Sequence, residues 1–312
     1  ITKETSGLAT DQSATASAIR TALETPGTAS VDAVVTVTAP SRTYEMLSQI
    51  KDVLGSYTTS YSSSASGRKT NIKVAANYLN GTVLMPGESC SVSTTIKSRS
   101  PENGYELGGE YVDGATVASY GGGVCQIATT LYNALLKAEI QVNTRYNHSM
   151  VVSYVDYAMD AAIAEGSKDL VFTNDQQYPI YITATADGSS LSFKIYGKET
   201  RSTTRTVKYV SHTISEVYPE NKTVYDATKA VGYTSTTGTR HPAVTAYLEK
   251  IVYENGVEVS RTTLHTDSYM GSSLTTVIGT LAQTSSAPSS SASSSASSSS
   301  TDTAASASSA SQ

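Results

Sequence analysis

The sequence predicts an α+β protein: a mixed domain in which a glycine turn leads into a helix, then an elongated all-β module, then a disordered Ser-rich tail. The triple glycine at 121–123 opens into apolar residues spaced three and four apart, which is typical of an amphipathic helix. Alternating apolar and polar residues follow from about residue 150, and no helical spacing remains after residue 203. From Thr284 to Gln312 the chain is almost entirely Ser, Ala and Thr, a composition that favours disorder.

Two helices are predicted in the first half of the chain. One has Thr70 as its N-cap and Gly81 as its left-handed end, and the other begins at Cys125, give or take one residue. A short amphipathic segment is also predicted over residues 44–54, ending at Gly55.

Strands are predicted where apolar residues alternate. They cover 83–96 with a turn at Pro86-Gly87, and 150–155, 170–172, 180–184 and 191–196. In the later β module, Asn255-Gly256 separates two alternating runs, which predicts a two-residue hairpin.

Composition and charge exclude several functional classes. The 312 residues carry 22 Lys and Arg against 27 Asp and Glu, so a net charge of −5 argues against nucleic acid and anionic lipid as partners. Two cysteines cannot form a disulfide framework, and the pattern indicates neither a metal site nor a cofactor. No apolar run is long enough to span a membrane.

Cys125 is the candidate nucleophile because it lies where the glycine turn meets a helix N-terminus. The glycines allow a substrate to approach the backbone, and the positive helix end favours the thiolate over the thiol. The free amides at this end are suited to holding an oxyanion. The alternatives are a buried structural cysteine, a disulfide with Cys90, and a metal site that includes His148.

A thiolate nucleophile needs a base, and His148 is the one histidine in the same predicted domain. Its orienting acceptor is Asp156 or Asp160, of which we favour Asp160, with Asn147 and Tyr154 as neutral substitutes. Taken alone, a histidine in the position of His148 is more often a satisfied polar residue at a strand end than a catalytic base. The residues expected to contact substrate or the oxyanion are Gly122, Gly123, Val124, Gln126, Asn147 and Tyr154.

Several segments occur in an order that is specific to one family. They are Asn71-Ile-Lys-Val-Ala-Ala, Asn80-Gly-Thr-Val-Leu-Met-Pro-Gly-Glu, Gly121-Gly-Gly-Val-Cys-Gln-Ile-Ala-Thr-Thr-Leu-Tyr-Asn-Ala, Asn147-His-Ser, Asp169-Leu-Val-Phe-Thr-Asn and Tyr178-Pro-Ile-Tyr-Ile. Together these segments resemble the VanW domain of bacterial envelope proteins. The resemblance divides the chain into the end of a peptidoglycan-binding domain (1–55), a VanW domain (56–202), a five-glycine-type β module (203–280) and the tail (281–312).

The resemblance also implies a function. Some clostridial VanW proteins are described as L,D-transpeptidases that use the motif cysteine, which implies Cys125 as nucleophile and His148 as base. The expected enzyme joins the third residues of two peptidoglycan stem peptides through a cysteine thioester. An L,D-carboxypeptidase and a non-catalytic peptidoglycan-binding protein are the alternatives.

The expected partners are peptidoglycan stem peptides, with glycan strands as a further ligand of the β module, and the expected state is a monomer. The chain begins at Ile1 without methionine, and we expect an extracellular or cell-wall location. Tethering to the membrane through a segment that precedes Ile1 is the alternative to free secretion.

Overall fold

A computed structural model describes residues 1–27, 30–112 and 115–282. The described helices are α1 (Gln12–Glu24), α2 (Tyr44–Leu47), α3 (Ser66–Leu79), α4 (Val92–Thr95) and α5 (Cys125–Ala138), with a 3-10 turn at Pro101–Asn103. The described strands are β1 (Gly7–Thr10), β2 (Val35–Thr38), β3 (Asp52–Ser60), β4 (Thr82–Leu84), β5 (Ser89–Ser91), β6 (Leu107–Val112), β7 (Ala115–Tyr120), β8 (Gln141–Thr144), β9 (Val171–Thr173), β10 (Ile180–Ala186), β11 (Ser190–Gly197), β12 (Arg205–Val217), β13 (Lys222–Ala230), β14 (Thr234–Thr237), β15 (Ala243–Glu254), β16 (Val257–Tyr269) and β17 (Thr275–Leu281). Few helices and many strands in several sheets make this a mixed fold.

Helix α5 lies at the centre of the core. It packs against β3 and β11 of a four-stranded antiparallel sheet whose order is β3-β11-β10-β4. From Gln126 onward every residue of α5 except Lys137 is buried. A Cβ on Gly55 would lie 2.5 Å from the Ala134 carbonyl oxygen and 2.4 Å from the Ala138 amide nitrogen, so only glycine allows this close approach of strand and helix.

The start of α5 at Cys125 confirms the sequence-based prediction. Helix α3 begins at Ser66, earlier than the predicted Thr70, and Gly81 with φ 92° lies beyond its end as expected. The amphipathic segment predicted over 44–54 is wrong, because only 44–47 is helical and β3 begins at Asp52. Pairing of β3 with β11 overrides the local helical spacing.

Residues 150–155 do not form the predicted strand, and the whole stretch from 145 to 163 is irregular. Backbone amides of this stretch donate to a side chain or to a single carbonyl across the loop, and not to the backbone of a neighbouring strand. The His148 amide donates to the Asp160 carboxylate, and the Ala162 amide donates to the Tyr146 carbonyl. This loop carries four of the predicted site residues, Asn147, His148, Tyr154 and Asp160.

Three smaller sheets accompany the central one: β1-β2, β5-β9-β8 and the hairpin β6-β7. After residue 203 the described chain forms the sheets β12-β15-β16 and β13-β17-β14, without a helix. The hairpin predicted at Asn255-Gly256 is confirmed, with φ 51° and 77° at the two turn residues.

The chain divides into two compact units, and the division differs from the boundary predicted at 202–203. One unit contains residues 1–222 and 236–276; the other contains 223–235 and the described residues from 277 onward. Within the first unit, Val244, Ala246, Leu248 and Tyr269 share the buried core with α5. The predicted tail, 281–312, lies outside the described residues from 283 onward.

Polar contacts join the same strands to α5. The Tyr209 hydroxyl donates to the Leu136 carbonyl at 2.6 Å, and Glu139 pairs with Arg205 at 2.9 Å and with Lys250 at 2.6 Å. Strands β12, β15 and β16 are therefore part of the domain that contains α5. Among the described helices, none combines the length and the apolar character that crossing a bilayer requires.

We expect Leu248→Ala to lower the free energy of unfolding of the whole first unit by about 2–5 kcal/mol, because a fully buried leucine leaves a cavity. The matched control is Val259→Ala on β16, whose side chain is 56% exposed and whose loss should change little. Urea unfolding followed by circular dichroism measures both. Equal shifts in the two variants would contradict the shared core.

Candidate active site

The glycine turn before α5 is closed in by two arginine side chains. Gly121 and Gly123 have φ 79° and 106°, in the left-handed region that favours glycine. A Cβ on Gly121 would lie 2.5 Å from Cδ of Arg99, and one on Gly123 would lie 2.7 Å from Cγ of Arg68. The missing side chains thus provide the space in which the arginine stems lie.

Asn71 of α3 fixes the middle of the turn. Its Nδ2 donates to the Gly122 carbonyl at 3.1 Å and to the Glu106 carbonyl at 3.0 Å, while its Oδ1 accepts from the Glu106 amide at 2.8 Å. A Cβ on Gly122 would lie 2.6 Å from the Gly108 carbonyl oxygen. The turn is therefore held against the start of β6.

Two amides at this turn are free for a ligand. The Val124 amide donates to the Gly121 carbonyl at 3.1 Å, and the Gln126 amide donates to the Gly123 carbonyl at 3.0 Å. Within the described residues, the amides of Gly123 and Cys125 have no acceptor. Two unpaired donors at a helix N-terminus form the arrangement that stabilises an oxyanion.

The Gln126 side chain supports the turn instead of facing a ligand. It is buried, its Nε2 donates to Thr59 Oγ1 at 2.8 Å and to the Ser60 carbonyl at 2.9 Å, and its Oε1 accepts from Arg68 Nη2 at 2.8 Å. With the amides of Val124 and Gln126 also occupied, the oxyanion donors predicted from 122–126 reduce to those of Gly123 and Cys125.

The Cys125 thiol donates to the Ile163 carbonyl oxygen at 3.3 Å, and the His148 imidazole lies near enough to act on its charge. Burial acts to raise the pKa of this thiol, but the nearby His148 with its positive charge outweighs burial, assisted by the charge of Arg99. The pKa of Cys125 is therefore lowered, which favours a thiolate.

His148 is held between the thiol and a buried carboxylate. Its Nδ1 lies 2.6 Å from Asp160 Oδ2, and its backbone amide donates to the same oxygen at 2.7 Å. Burial acts to lower the pKa of His148, but the bonds and negative charges of Asp160 and Cys125 raise it to about 9. Since Nδ1 faces Asp160, Nε2 is the nitrogen available to the thiol.

Asp160 is 1% exposed, and its Oδ1 accepts from the Tyr269 hydroxyl at 2.5 Å and from Arg145 Nη2 at 3.1 Å. Burial acts to raise its pKa, but His148, Arg145 and Tyr269 bring the pKa to about 2. Asp156 is exposed and makes no contact with His148, so the structure brings Asp160 and not Asp156 to the histidine.

Asn147 and Tyr154 lie beside Cys125, His148 and Asp160. Asn147 Nδ2 donates to the His148 carbonyl and to the Ser268 carbonyl, each at 2.9 Å, which holds the loop against β16. The pKa of Tyr154 is raised by burial and by the negative charge of Cys125. Tyr154 thus lies near the thiol, whereas Asn147 holds the backbone of His148 in place through its hydrogen bonds.

Sequence reasoning missed three groups that complete the site. Arg145 bonds Asp160 and, through Nη1, Asp267 Oδ1 at 2.7 Å, and Tyr269 donates to Asp160. Arg145 lies three residues before His148, and this closeness in the sequence could have identified it as part of the site. Nothing local in β16 indicates that Asp267 and Tyr269 reach a loop more than a hundred residues earlier.

Cys90 has a different environment. It is 6% exposed, its Sγ lies 3.4 Å from Thr95 Oγ1, and burial raises its pKa. Both cysteines are free thiols, so the alternative of a Cys90–Cys125 disulfide is not what the structure shows. In the described part of the chain, no cluster of His, Cys, Asp and Glu has the makings of a metal site.

Comparison with known proteins gives a family match. Residues 67–196 match the model of the family described as VanW like protein. The uncharacterized protein YoaR of Bacillus subtilis (strain 168) is 33% identical over 156 residues, which are 50% of this chain and 52% of that protein. Vancomycin B-type resistance protein VanW of Enterococcus faecalis is 27% identical over 132 residues, which are 40% of this chain and 48% of that protein. The chain therefore spans about half the length of these curated relatives.

Two solved structures of G5 domains are similar to about a quarter of the chain. The G5 domain of IgA1 protease is 19% identical and covers 25% of this chain and 93% of its own, with a TM-score of 0.21. The G5 domain of HP0197 is 16% identical and covers 24% and 97%, with a TM-score of 0.17. Scores of this size do not establish a shared fold.

We expect iodoacetamide to alkylate Cys125 at neutral pH and to leave Cys90 unmodified, because only the Cys125 pKa is lowered. In His148→Ala the thiolate loses its cationic partner, so the pH midpoint of Cys125 alkylation should move upward. Peptide mapping by mass spectrometry across a pH series measures both. An unchanged midpoint, or preferential alkylation of Cys90, would contradict the assignment.

Proposed function

We propose that this chain, a VanW-domain protein with a cell-wall-related role, is a cysteine-dependent peptidoglycan L,D-transpeptidase. The observation that carries the proposal is that Asp160 holds His148 beside Cys125, at a helix N-terminus with two free amides. These are the parts that acyl transfer needs: a nucleophile, a base with an orienting partner, and an oxyanion site. A module that only binds peptide requires no such relay.

One relative supports the role in the wall. The Enterococcus faecalis protein is named for vancomycin resistance, which agrees with a cell-wall-related role. A substrate in the wall places the protein outside the cytoplasmic membrane. The substrates we propose are peptidoglycan stem peptides, whose peptide carbonyls are suitable electrophiles for a thiolate.

In the first half of the reaction, the Cys125 thiolate attacks the carbonyl carbon of the third residue of a donor stem, forming a carbon–sulfur bond. The negative charge moves to the carbonyl oxygen, which the amides of Gly123 and Cys125 stabilise. The carbon–nitrogen bond to the terminal D-Ala then breaks. His148 Nε2 gives its proton to the leaving amine, and a thioester remains on Cys125.

In the second half, the amine of an acceptor stem gives a proton to His148 and attacks the thioester carbonyl. The new carbon–nitrogen bond forms the cross-link, and the carbon–sulfur bond breaks to restore the thiolate. Water in place of the amine would give an L,D-carboxypeptidase, which uses the same residues. Asp160 stays ionised throughout, because its pKa of about 2 lies far below the working pH.

We expect incubation with disaccharide tetrapeptide muropeptides to add the mass of the acyl donor, less D-Ala, to the intact protein. Cys125→Ala should show no adduct, while Cys90→Ala should retain it. Intact-mass spectrometry measures the adduct, and product chromatography separates cross-linked from hydrolysed material. Tight muropeptide binding without an adduct or product would indicate a non-catalytic binding protein.

His148→Ala should lower turnover about a hundredfold or more, the usual contribution of a positioned acid and base. Asp160→Asn should lower turnover by less, and His212→Ala on β12, outside the site, should change nothing. In the wild type, turnover should fall above about pH 9, where His148 loses the proton that it gives to the leaving amine. The alkylation of Cys125 needs only the thiolate and should not fall there, which separates loss of the acid from unfolding.

A further inference from the structure

Arg99 is a cation near the thiol that the acyl-transfer steps do not use. A Cβ on Gly121 would lie 2.5 Å from Cδ of Arg99, so the arginine stem lies directly against the turn that leads into Cys125. At the other end of the side chain, Arg99 Nε lies 3.9 Å from Glu165 Oε2. Glu165 follows Ile163 by two residues, and the Ile163 carbonyl accepts from the Cys125 thiol. The guanidinium group therefore lies between two segments that both border the nucleophile.

This guanidinium group is available to a ligand. Within the described residues its ion pair is the 3.9 Å contact with Glu165, whose side chain is 63% exposed, and ion pairs with so exposed a partner contribute little. None of the Arg99 nitrogens donates a hydrogen bond to a described residue, and none is both buried and unpaired. With the side chain 17% exposed, these nitrogens can be reached by an acceptor from outside the protein.

Arg68, the other arginine whose stem lies against the glycine turn, is engaged. Its Nη1 donates to Ser64 Oγ at 2.7 Å, and its Nη2 donates to Gln126 Oε1 at 2.8 Å. These two bonds hold the Arg68 guanidinium group at the start of α3 and α5. Of the two arginines at the turn, Arg99 is therefore the one whose donors are unfilled by described residues.

The proposed donor substrate carries a matching anion at a matching place. The donor stem ends in D-Ala, and its terminal carboxylate is only three covalent bonds from the carbonyl carbon that Cys125 attacks. A group that binds this carboxylate has to lie close to the thiol. Arg99 meets this condition, since its positive charge acts on the thiol and lowers the pKa of Cys125. A guanidinium group also presents paired N–H donors in the geometry that fits a carboxylate.

We propose that Arg99 binds the terminal carboxylate of the leaving D-Ala and so restricts the enzyme to stems that end one residue after the attacked carbonyl. This inference rests on the proposed transpeptidase activity and names the part of the donor that the site recognises. A longer stem would carry its carboxylate farther from the attacked carbon and out of reach of Arg99. Because the carboxylate departs with D-Ala, Arg99 contributes to binding of the donor and not of the acceptor.

The test compares two donors in the acylation of the full chain: a disaccharide tetrapeptide with a free terminal carboxylate, and the same muropeptide with D-Ala as its primary amide. Intact-mass spectrometry over a series of donor concentrations measures the rate of adduct formation and the half-saturating concentration. We expect the amide to acylate the protein about tenfold less efficiently or worse, through a higher half-saturating concentration, because a charge-assisted hydrogen bond is lost.

A third donor controls for amidation itself. A muropeptide amidated at a carboxylate elsewhere in the stem should react as the free acid does. The same loss with this donor would assign Arg99 to another carboxylate and overturn the proposal. These comparisons use the wild-type protein and depend on no variant.

Variants assign the preference to Arg99. Arg99→Gln should abolish the preference for the free acid over the terminal amide, and Arg99→Lys, which keeps the charge but not the paired donors, should retain part of it. Arg42→Gln is the matched control, because Arg42 is 48% exposed and pairs with Glu88; it should keep the full preference. Arg99→Gln also removes a positive charge near Cys125, which slows both donors by the same factor, so the ratio between the two donors is the readout.

The outcomes separate this inference from the proposed function. If Arg99→Gln slows both donors and leaves their ratio at the wild-type value, Arg99 acts only through the charge of Cys125 and carboxylate binding is refuted. Equal acylation of the wild type by the free acid and the terminal amide refutes the role of Arg99 and leaves the transpeptidase proposal intact. No adduct from any donor refutes the transpeptidase proposal and this inference with it.

Discussion

The buried carboxylate of Asp160 is the group on which the site depends. A carboxylate that is 1% exposed stays ionised only if its oxygens are filled with donors, and four bonds fill them: two from His148, one from Arg145 and one from Tyr269. Its charge raises the pKa of His148, and the protonated His148 in turn lowers the pKa of Cys125. The reactivity of the thiol at one end of this chain is therefore set by the packing around a carboxylate at the other end.

That packing extends beyond the family match at 67–196. Tyr269 and Asp267 stand two residues apart on β16, so both point to the same face of the strand, where one bonds Asp160 and the other balances Arg145. Removing one partner of a buried ion pair leaves the other uncompensated, which is more destabilising than never forming the pair. Strand β16 is for this reason a structural component of the candidate active site and not a separate attachment to it.

Local sequence signals predicted the parts of the site that are close in the chain. The glycine turn, the start of α5 at Cys125 and the Asn255-Gly256 hairpin all follow from short-range rules, and the structure has each of them. Tertiary contacts decided what those rules missed. Helical spacing in 44–54 gave way to pairing of β3 with β11, and the partner of Arg145 comes from a strand that follows it by more than a hundred residues. The boundary predicted at 202–203 rests on a polar sequence, which carries no information about the contacts that Tyr209 and Leu248 make with the core.

The two cysteines provide an internal comparison that separates residue type from environment. Cys90 is buried in β5, which pairs with β9, and its neighbour is the neutral hydroxyl of Thr95. Burial raises the pKa of this thiol. Cys125 is at a helix N-terminus, with the positive charges of His148 and Arg99 nearby, and its pKa is lowered although burial opposes this. A cysteine that only fills space gains nothing from a cationic partner, because the neutral thiol already packs well. A buried His148–Asp160 pair that lowers the pKa of Cys125, beside two free amides, is the arrangement that the proposed acyl transfer would use.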